Sequence, residues 1–196
     1  MKRRAATAEE TRALAHPLRM RILRLCLDQA LTNKQLAERL GEHPATVLHH
    51  VRTLQRTGFL AAEPERAGPR GSTQKPYHST GKSWTLDVSE SSVEAGSMLV
   101  AMIDAFRAEV MEAPPDSAFN STRMALRLRP EDRADLAERA HALVVEYMDR
   151  QDPDGEPIGL LFAIHRRAVG PGEVPIPTVP RVDPPADPPA DPPADA

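Results

Sequence analysis

Only one cysteine, Cys26, occurs in the 196 residues, so no internal disulfide can close and the framework must come from packing. A lone thiol also suits a reducing compartment, and the expected location is the cytoplasm. Aromatic residues make up just 4 % of the chain, which leaves Leu, Val, Ile and Ala to build any core. No run of about 18 apolar residues occurs, so no segment reads as a transmembrane helix. The opening stretch is basic at Lys2-Arg3-Arg4, but no apolar stretch follows, and it does not read as a secretory leader. Signatures of catalysis are missing as well: there is no phosphate-cradling glycine loop, no nucleophile elbow and no His-x-x-x-His zinc pattern. Glu131, Asp132 and Asp135 stand at a helix start, where acids complement the macrodipole without any chemical role. Neither an enzyme nor a cofactor is expected.

What the chain does have is an uneven charge. Residues 1–82 carry 15 Lys/Arg against 7 Asp/Glu, and residues 83–196 carry 10 against 21, giving +8 and −11 for a total of −3. A basic front half suits a polyanionic partner, which the acidic rear would repel.

Residues 32–60 are the most patterned. Thr32 with Gln35 three positions on makes a capping-box pattern, Leu36, Ala37 and Leu40 supply a buried side, and Gly41 stops the helix. A second helix opens at Pro44, with Val47, Val51 and Leu54 recurring at spacings of four and three, and ends at Gly58. Upstream, Ala8–Ala15 forms a short helix that His16-Pro17 breaks and restarts. Leu18, Ile22 and Leu25, with Met20, Leu23 and Leu27, then give an apolar face. Cys26 beside that stripe reads as a small core residue. Downstream, Phe59–Glu63 and Gln74–Ser79 are strand arms around a Gly-, Pro- and Arg-rich tip, Arg66–Gly71.

The rest divides into three. An amphipathic helix is expected over Ser89–Glu112, with an apolar surface broader than one small domain needs, stopped by Ala113-Pro114-Pro115-Asp116. Then comes strand–helix–strand: Thr122–Arg129 alternates apolar and charged residues, Pro130 opens a helix through Tyr147, and Ile158–His165 is a second, more apolar strand. Finally Asp-Pro-Pro-Ala repeats from Asp183, a composition that cannot offset its ordering entropy and reads as a disordered tail. The expected fold is α+β: a DNA-binding domain at 1–82, a dimerisation helix and linker at 83–116, a small α/β module at 117–168 and the tail at 169–196.

Leu14-Ala15-His16-Pro17-Leu18-Arg19-Met20-Arg21-Ile22-Leu23, Leu36-Ala37-Glu38-Arg39-Leu40, Pro44 to Leu54 and Gly58-Phe59-Leu60 stand in this order at spacings that resemble the ArsR-type winged helix-turn-helix transcriptional regulators. The resemblance covers roughly residues 8–82. It implies a homodimeric regulator, a repressor, on an inverted-repeat operator. Where metal-sensing members of that family carry a cysteine pair, this chain has Leu31-Thr32-Asn33-Lys34-Gln35, with no thiol, and Leu48 stands where a serine is common.

The helical spacing independently turns Ala45, Thr46, His49, Arg52, Thr53 and Arg56 outward, with His50 beside them, as candidates for contact with double-stranded DNA. Threonine can bond a base or touch a thymine methyl, and arginine can pair with guanine. Arg66, Arg70 and Lys75 in the hairpin suit phosphate or minor-groove contact. One helix–wing unit covers a half-site only, so a dimer is expected, through Val93, Leu99, Met102, Ile103, Phe106 and Val110. No metal site is expected: His49 and His50 project about 100° apart on a helix, and His43 precedes it. Two other functions fit the same residues, a winged-helix protein-interaction module without DNA binding and an effector-binding protein centred on 117–168.

Overall fold

A computed structural model describes residues 4–67, 73–87, 93–115, 117, 121–152 and 154–166. The expected tail at 169–196 and the hairpin tip with Arg70 lie outside the described residues. Contacts divide the chain into two units, Met1–Ile164 and His165–Ala196, and every secondary-structure element described belongs to the first. That division falls inside the expected 117–168 module.

The fold is mixed α and β with a helix-turn-helix in its N-terminal half. Strand β1 (Arg4–Ala5) leads into α1 (Ala8–Leu14) and α2 (Pro17–Asp28). Strand β2 (Leu31–Thr32) precedes α3 (Asn33–Leu40), and α4 (Pro44–Arg56) follows. The hairpin comprises β3 (Leu60–Ala62), β4 (Arg66–Ala67), β5 (Thr73–Gln74) and β6 (Pro76–Ser79), and a 3-10 turn at Lys82–Thr85 leads to β7 (Leu86–Asp87). Two long helices complete the set, α5 (Val93–Glu112) and α6 (Pro130–Met148).

Three local signals act as the sequence predicts. The Thr32 hydroxyl accepts the Gln35 N–H while the Gln35 side chain accepts the Thr32 N–H at 2.9 Å, so this pair is a capping box. Pro17 and Pro44 each open a helix, where their missing N–H costs nothing. Each is preceded by a histidine that caps the helix through Nδ1: His16 accepts the Leu18 N–H and His43 the Ala45 N–H, both at 3.2 Å. At the end of α4, Gly58 has φ 75°, and the Phe59 and Gly58 amides reach back to the carbonyls of Leu54 and Gln55. Only glycine enters that left-handed conformation cheaply, and a Cβ there would also meet Lys82 Nζ at 3.4 Å.

The core lies between α1–α4 and a three-stranded antiparallel sheet of order β2-β6-β3. Ile22, Leu36, Val47, Val51 and Leu54 are fully buried there, and Phe59 and Leu60 close it at the root of the hairpin. On α2 the inward row at spacing four is Leu18–Ile22–Cys26. Leu27, expected on the apolar face, is left 37 % exposed, and Cys26 is buried with its thiol pushed up to about 12 by desolvation.

Two features were not foreseen. β1 pairs in parallel with β7, Arg4 opposite Leu86 and Ala5 opposite Asp87. Beneath that pair the Glu10 carboxylate is buried and receives Arg4 (2.6 Å) and Lys82 (2.7 Å), while Lys82 also donates to the Thr57 carbonyl and lies over the Phe59 ring. The hydrogen bond from Arg4, with Lys82 beside it, holds Glu10 well below the usual carboxylate range against the opposing effect of burial.

The rear half departs from expectation. The α6 helix forms, with Pro130 at its first position and Glu131 and Asp132 in its first turn. The flanking segments at Thr122–Arg129 and Ile158–His165 are not strands. Strand character in a sequence becomes a strand only where a neighbour pairs with it.

Candidate nucleic-acid interface

The second helix of the pair, α4, is held by its inner side. Val47, Val51 and Leu54 are inaccessible to solvent, and the Asn33 side chain at the start of α3 donates to the Pro44 carbonyl at 3.0 Å, fixing where α4 begins. The outer side follows from the same spacing. Ala45, Thr46, His49, Arg52 and Arg56 are exposed, and Thr53 is half-buried, its hydroxyl donating to the His49 carbonyl. Ala45, His49, Arg52 and Arg56 lie along one line of the helix, with Thr46 and Thr53 beside it. No acidic residue occurs within α4.

The seven candidates on α4 are not equivalent. Arg56 is 3.5 Å from Glu9 on α1, so part of its charge is already engaged. His50 is a correction: only 7 % exposed, it turns inward and stacks on His16, ring centroids 4.4 Å apart. It sits at 140° from Ala45 around the helix by its spacing, beyond the outward arc. Burial pushes the His50 imidazole down to about 4, with the charges of His16 and Arg19 adding to the shift. Arg19 itself spans the join between α1 and α2, donating to the carbonyls of Ala13 and Arg12 and lying 3.5 Å from His50 Nδ1. Polar side chains thus join the apolar row where α4 faces the α1–α2 junction, a point the apolar periodicity alone does not disclose.

The wing extends beside this face. β3 and β6 pair from Leu60–Ser79 to Ala62–Tyr77, and β4 and β5 continue the hairpin with Arg66 opposite Gln74. Arg66 and Lys75 are exposed, and Arg70 falls in the undescribed tip. Buried Tyr77 has its phenol pushed up by desolvation, and the nearby charge of Arg52 works against that shift, so the reading helix and the wing root are electrostatic neighbours. Thr32 and Gln35 are occupied as the cap of α3 and are half or fully buried.

Among the described residues, no three His, Cys, Asp or Glu side chains are placed to hold a metal ion. His16, His49 and His50 do cluster, which the sequence spacing of His43, His49 and His50 did not suggest, and Arg19 lies 3.5 Å from His50 Nδ1. No helix among the described residues is long and apolar enough to cross a membrane.

The candidates for self-association lie on α5. Ala101 and Ala105 are buried, and Met98 packs on the core, so this side of the helix seats on α1 and α2. Leu99, Ile103, Phe106 and Val110 recur at spacings of four, three and four on the opposite side, with Ile103 45 % and Val110 39 % exposed. Met102 is half-buried at the edge, and the side chain of Val93 is outside the described set.

Residues 14–62 match the family model described as a helix-turn-helix domain. Among solved structures, the chain is similar to reduced HlyU from Vibrio cholerae (24 % identity, 46 % of this chain and 80 % of that one, TM-score 0.30). It is also similar to Lactococcus lactis ZitR in complex with DNA (18 % identity, 67 % and 74 %, TM-score 0.30) and to the adhesin competence repressor AdcR from Streptococcus pyogenes (13 % identity, 70 % and 81 %, TM-score 0.26). No curated protein matches the sequence.

Proposed function

We propose that the chain is a DNA-binding transcriptional regulator that acts as a homodimeric repressor on an inverted-repeat operator. The observation that carries this reading is the outward face of α4: Ala45, Thr46, His49 and Arg52 exposed on a rigidly seated helix with no acid among them. Such a helix enters the major groove, where Arg52 pairs with guanine or a phosphate and Thr46 reaches a base edge or a thymine methyl. Arg66 and Lys75 grip flanking backbone from the wing, and the basic charge of residues 1–82 supplies the salt-dependent part of the affinity. The match of residues 14–62 to a helix-turn-helix domain supports the same assignment.

The dimer follows from the operator geometry. One such unit covers a half-site, and two related by a two-fold axis reach successive grooves about 34 Å apart. The outward row Leu99, Ile103, Phe106 and Val110 on α5 has the spacing of a helix–helix seam and is the surface through which the two copies meet. Repression follows where the bound dimer covers a promoter. The reading includes no catalytic step.

Fluorescence anisotropy with a labelled duplex tests it. A shift that weakens steeply between about 50 and 200 mM salt and tightens on a selected sequence is expected. No shift with any duplex at low salt would sink the assignment in favour of a winged helix that holds another protein.

A further inference from the structure

Three imidazoles and a guanidinium meet where α4 faces the α1–α2 junction. The His50 ring is buried and stacks on His16 at 4.4 Å between centroids, with the His49 ring edge-on to it at 5.4 Å. Arg19 reaches into the same place, one guanidinium nitrogen 3.5 Å from His50 Nδ1 and the others bonded to the Ala13 and Arg12 carbonyls. A guanidinium has donors only, so at that contact His50 Nδ1 presents its lone pair and the neutral ring carries its proton on Nε2. His16 is held in the same manner: its Nδ1 accepts the Leu18 N–H at 3.2 Å and caps α2. Each ring thus uses as an acceptor the one nitrogen that a proton would occupy.

We propose that His50 is a positioning residue for the reading helix and works only as a neutral imidazole: a proton taken up there in mild acid loosens α4 from the α1–α2 junction and weakens its grip on duplex DNA. The DNA half of this proposal rests on the regulator reading above, whereas the loosening of α4 stands without it.

A proton on His50 Nδ1 turns the acceptor into a donor aimed at the Arg19 guanidinium and sets a positive charge against the His16 ring. Helices α2 and α3 and strand β3 pack on α4. The charges that act on His50 come from His16 and Arg19 on the α2 side and from His49 on α4 itself, and all of them oppose a further positive charge. Among the described residues, none acting on it comes from α3 or β3. Those on His16 come from Arg19 and His49, so the stacked partner brings no counter-ion either. Arg19 cannot step aside without giving up its bonds to the carbonyls of α1. Burial adds the largest share, and together these hold His50 down to about 4 against an ordinary value of 6.5. With the folded value depressed, the neutral ring's contribution is complete above about 6.5 and is lost as the pH falls toward 4. His49 and Arg52 stand on the same helix, so a change at its seat displaces them together.

Hydrogen exchange of the full chain, followed amide by amide and corrected for the intrinsic effect of pH, tests the seat. Between pH 7 and pH 5 the protection of Val51 and Leu54 is expected to fall on the order of tenfold more in the parent than in His50→Gln, whose side chain takes up no proton. His50→Phe, which keeps a ring on His16, serves as a second variant should the first fold poorly. A purely structural His50 would lower protection in the variants by the same factor at every pH, and such parallel profiles overturn the proposal. Duplex affinity is measured on the same samples. Over the same range the parent's should fall relative to the variant's, and His49 is common to both, so the charge it gains cancels. A constant ratio of the two affinities overturns the claim about DNA. Absence of duplex binding at pH 7 removes the regulator reading and the DNA half with it, while the exchange profiles still decide the seat.

Discussion

The two halves of the described chain have similar raw materials and opposite outcomes. In residues 4–87 the inward rows of α2, α3 and α4 meet one another, and Ile22, Leu36, Val47, Val51 and Leu54 reach zero exposure. In residues 121–164 a helix with a sound start, Pro130 followed by Glu131 and Asp132, buries nothing, and two alternating segments form no strand. The difference is the count of faces: four helices and a small sheet enclose a volume, whereas one helix and two lone segments cannot. The buried core therefore belongs to the front half.

That contrast can be broken or sharpened by substitution. The largest effect is expected for Leu54→Ala, which opens a cavity in the enclosed half and should cost about 2–5 kcal/mol in urea unfolding. Next, Arg52→Ala should weaken binding to the preferred duplex by roughly 1–3 kcal/mol with an unchanged urea midpoint, while Arg139→Ala on α6 leaves affinity alone. Comparable losses from the two arginines would place the DNA face elsewhere.

The third prediction concerns pH. Glu10 has its folded-state pKa depressed from an ordinary value near 4.5 by the bonds from Arg4 and Lys82. Its contribution is thus complete above that value and fades as the pH falls below it toward the folded-state value. Glu10→Gln should be less stable than the parent at pH 7, and the gap should narrow progressively as the pH falls below about 4.5 in paired urea titrations. A gap that does not narrow in acid would mean that packing, not charge, is what Gln disturbs. Smaller still, Lys75→Ala should lower the slope of log affinity against log salt by about 0.9, the share of one phosphate contact. The least effect is expected from Leu128→Ala in the dilute monomer, under about 0.5 kcal/mol, since an exposed side chain has little packing to lose.

Much of the front half could be read in advance because its determinants are short-range. Thr32 and Gln35 are three residues apart, Pro17 and Pro44 mark their own helix starts, and Gly58 alone announces the end of α4. What stayed hidden depended on partners distant in sequence. Nothing near Glu10 reveals Lys82, nothing near Arg4 reveals Leu86, and the inward turn of His50 depends on His16, 34 positions earlier, arriving opposite it. Leu27 stayed outside for a related reason: two stripes fit the periodicity of α2, and only its neighbours decide which one goes in. On the outer face of α4 the spacing sufficed, because exposure there is the complement of the buried row Val47, Val51 and Leu54. The alternation at 122–129 and 158–164 is equally plain in the sequence, but a strand needs a neighbour that no single-chain pattern can guarantee.

The parallel pairing of Arg4–Ala5 with Leu86–Asp87 ties the beginning of the chain to the stretch that leaves the wing for α5. Lys82 on that stretch reaches both Glu10 and the end of α4, so the three elements share one fastening. A bulky fusion placed directly before Arg4 would press on this knot rather than hang free of the domain. Affinity tags are better carried at the other terminus, and a cleavable leader that improves DNA binding on removal would betray the strain.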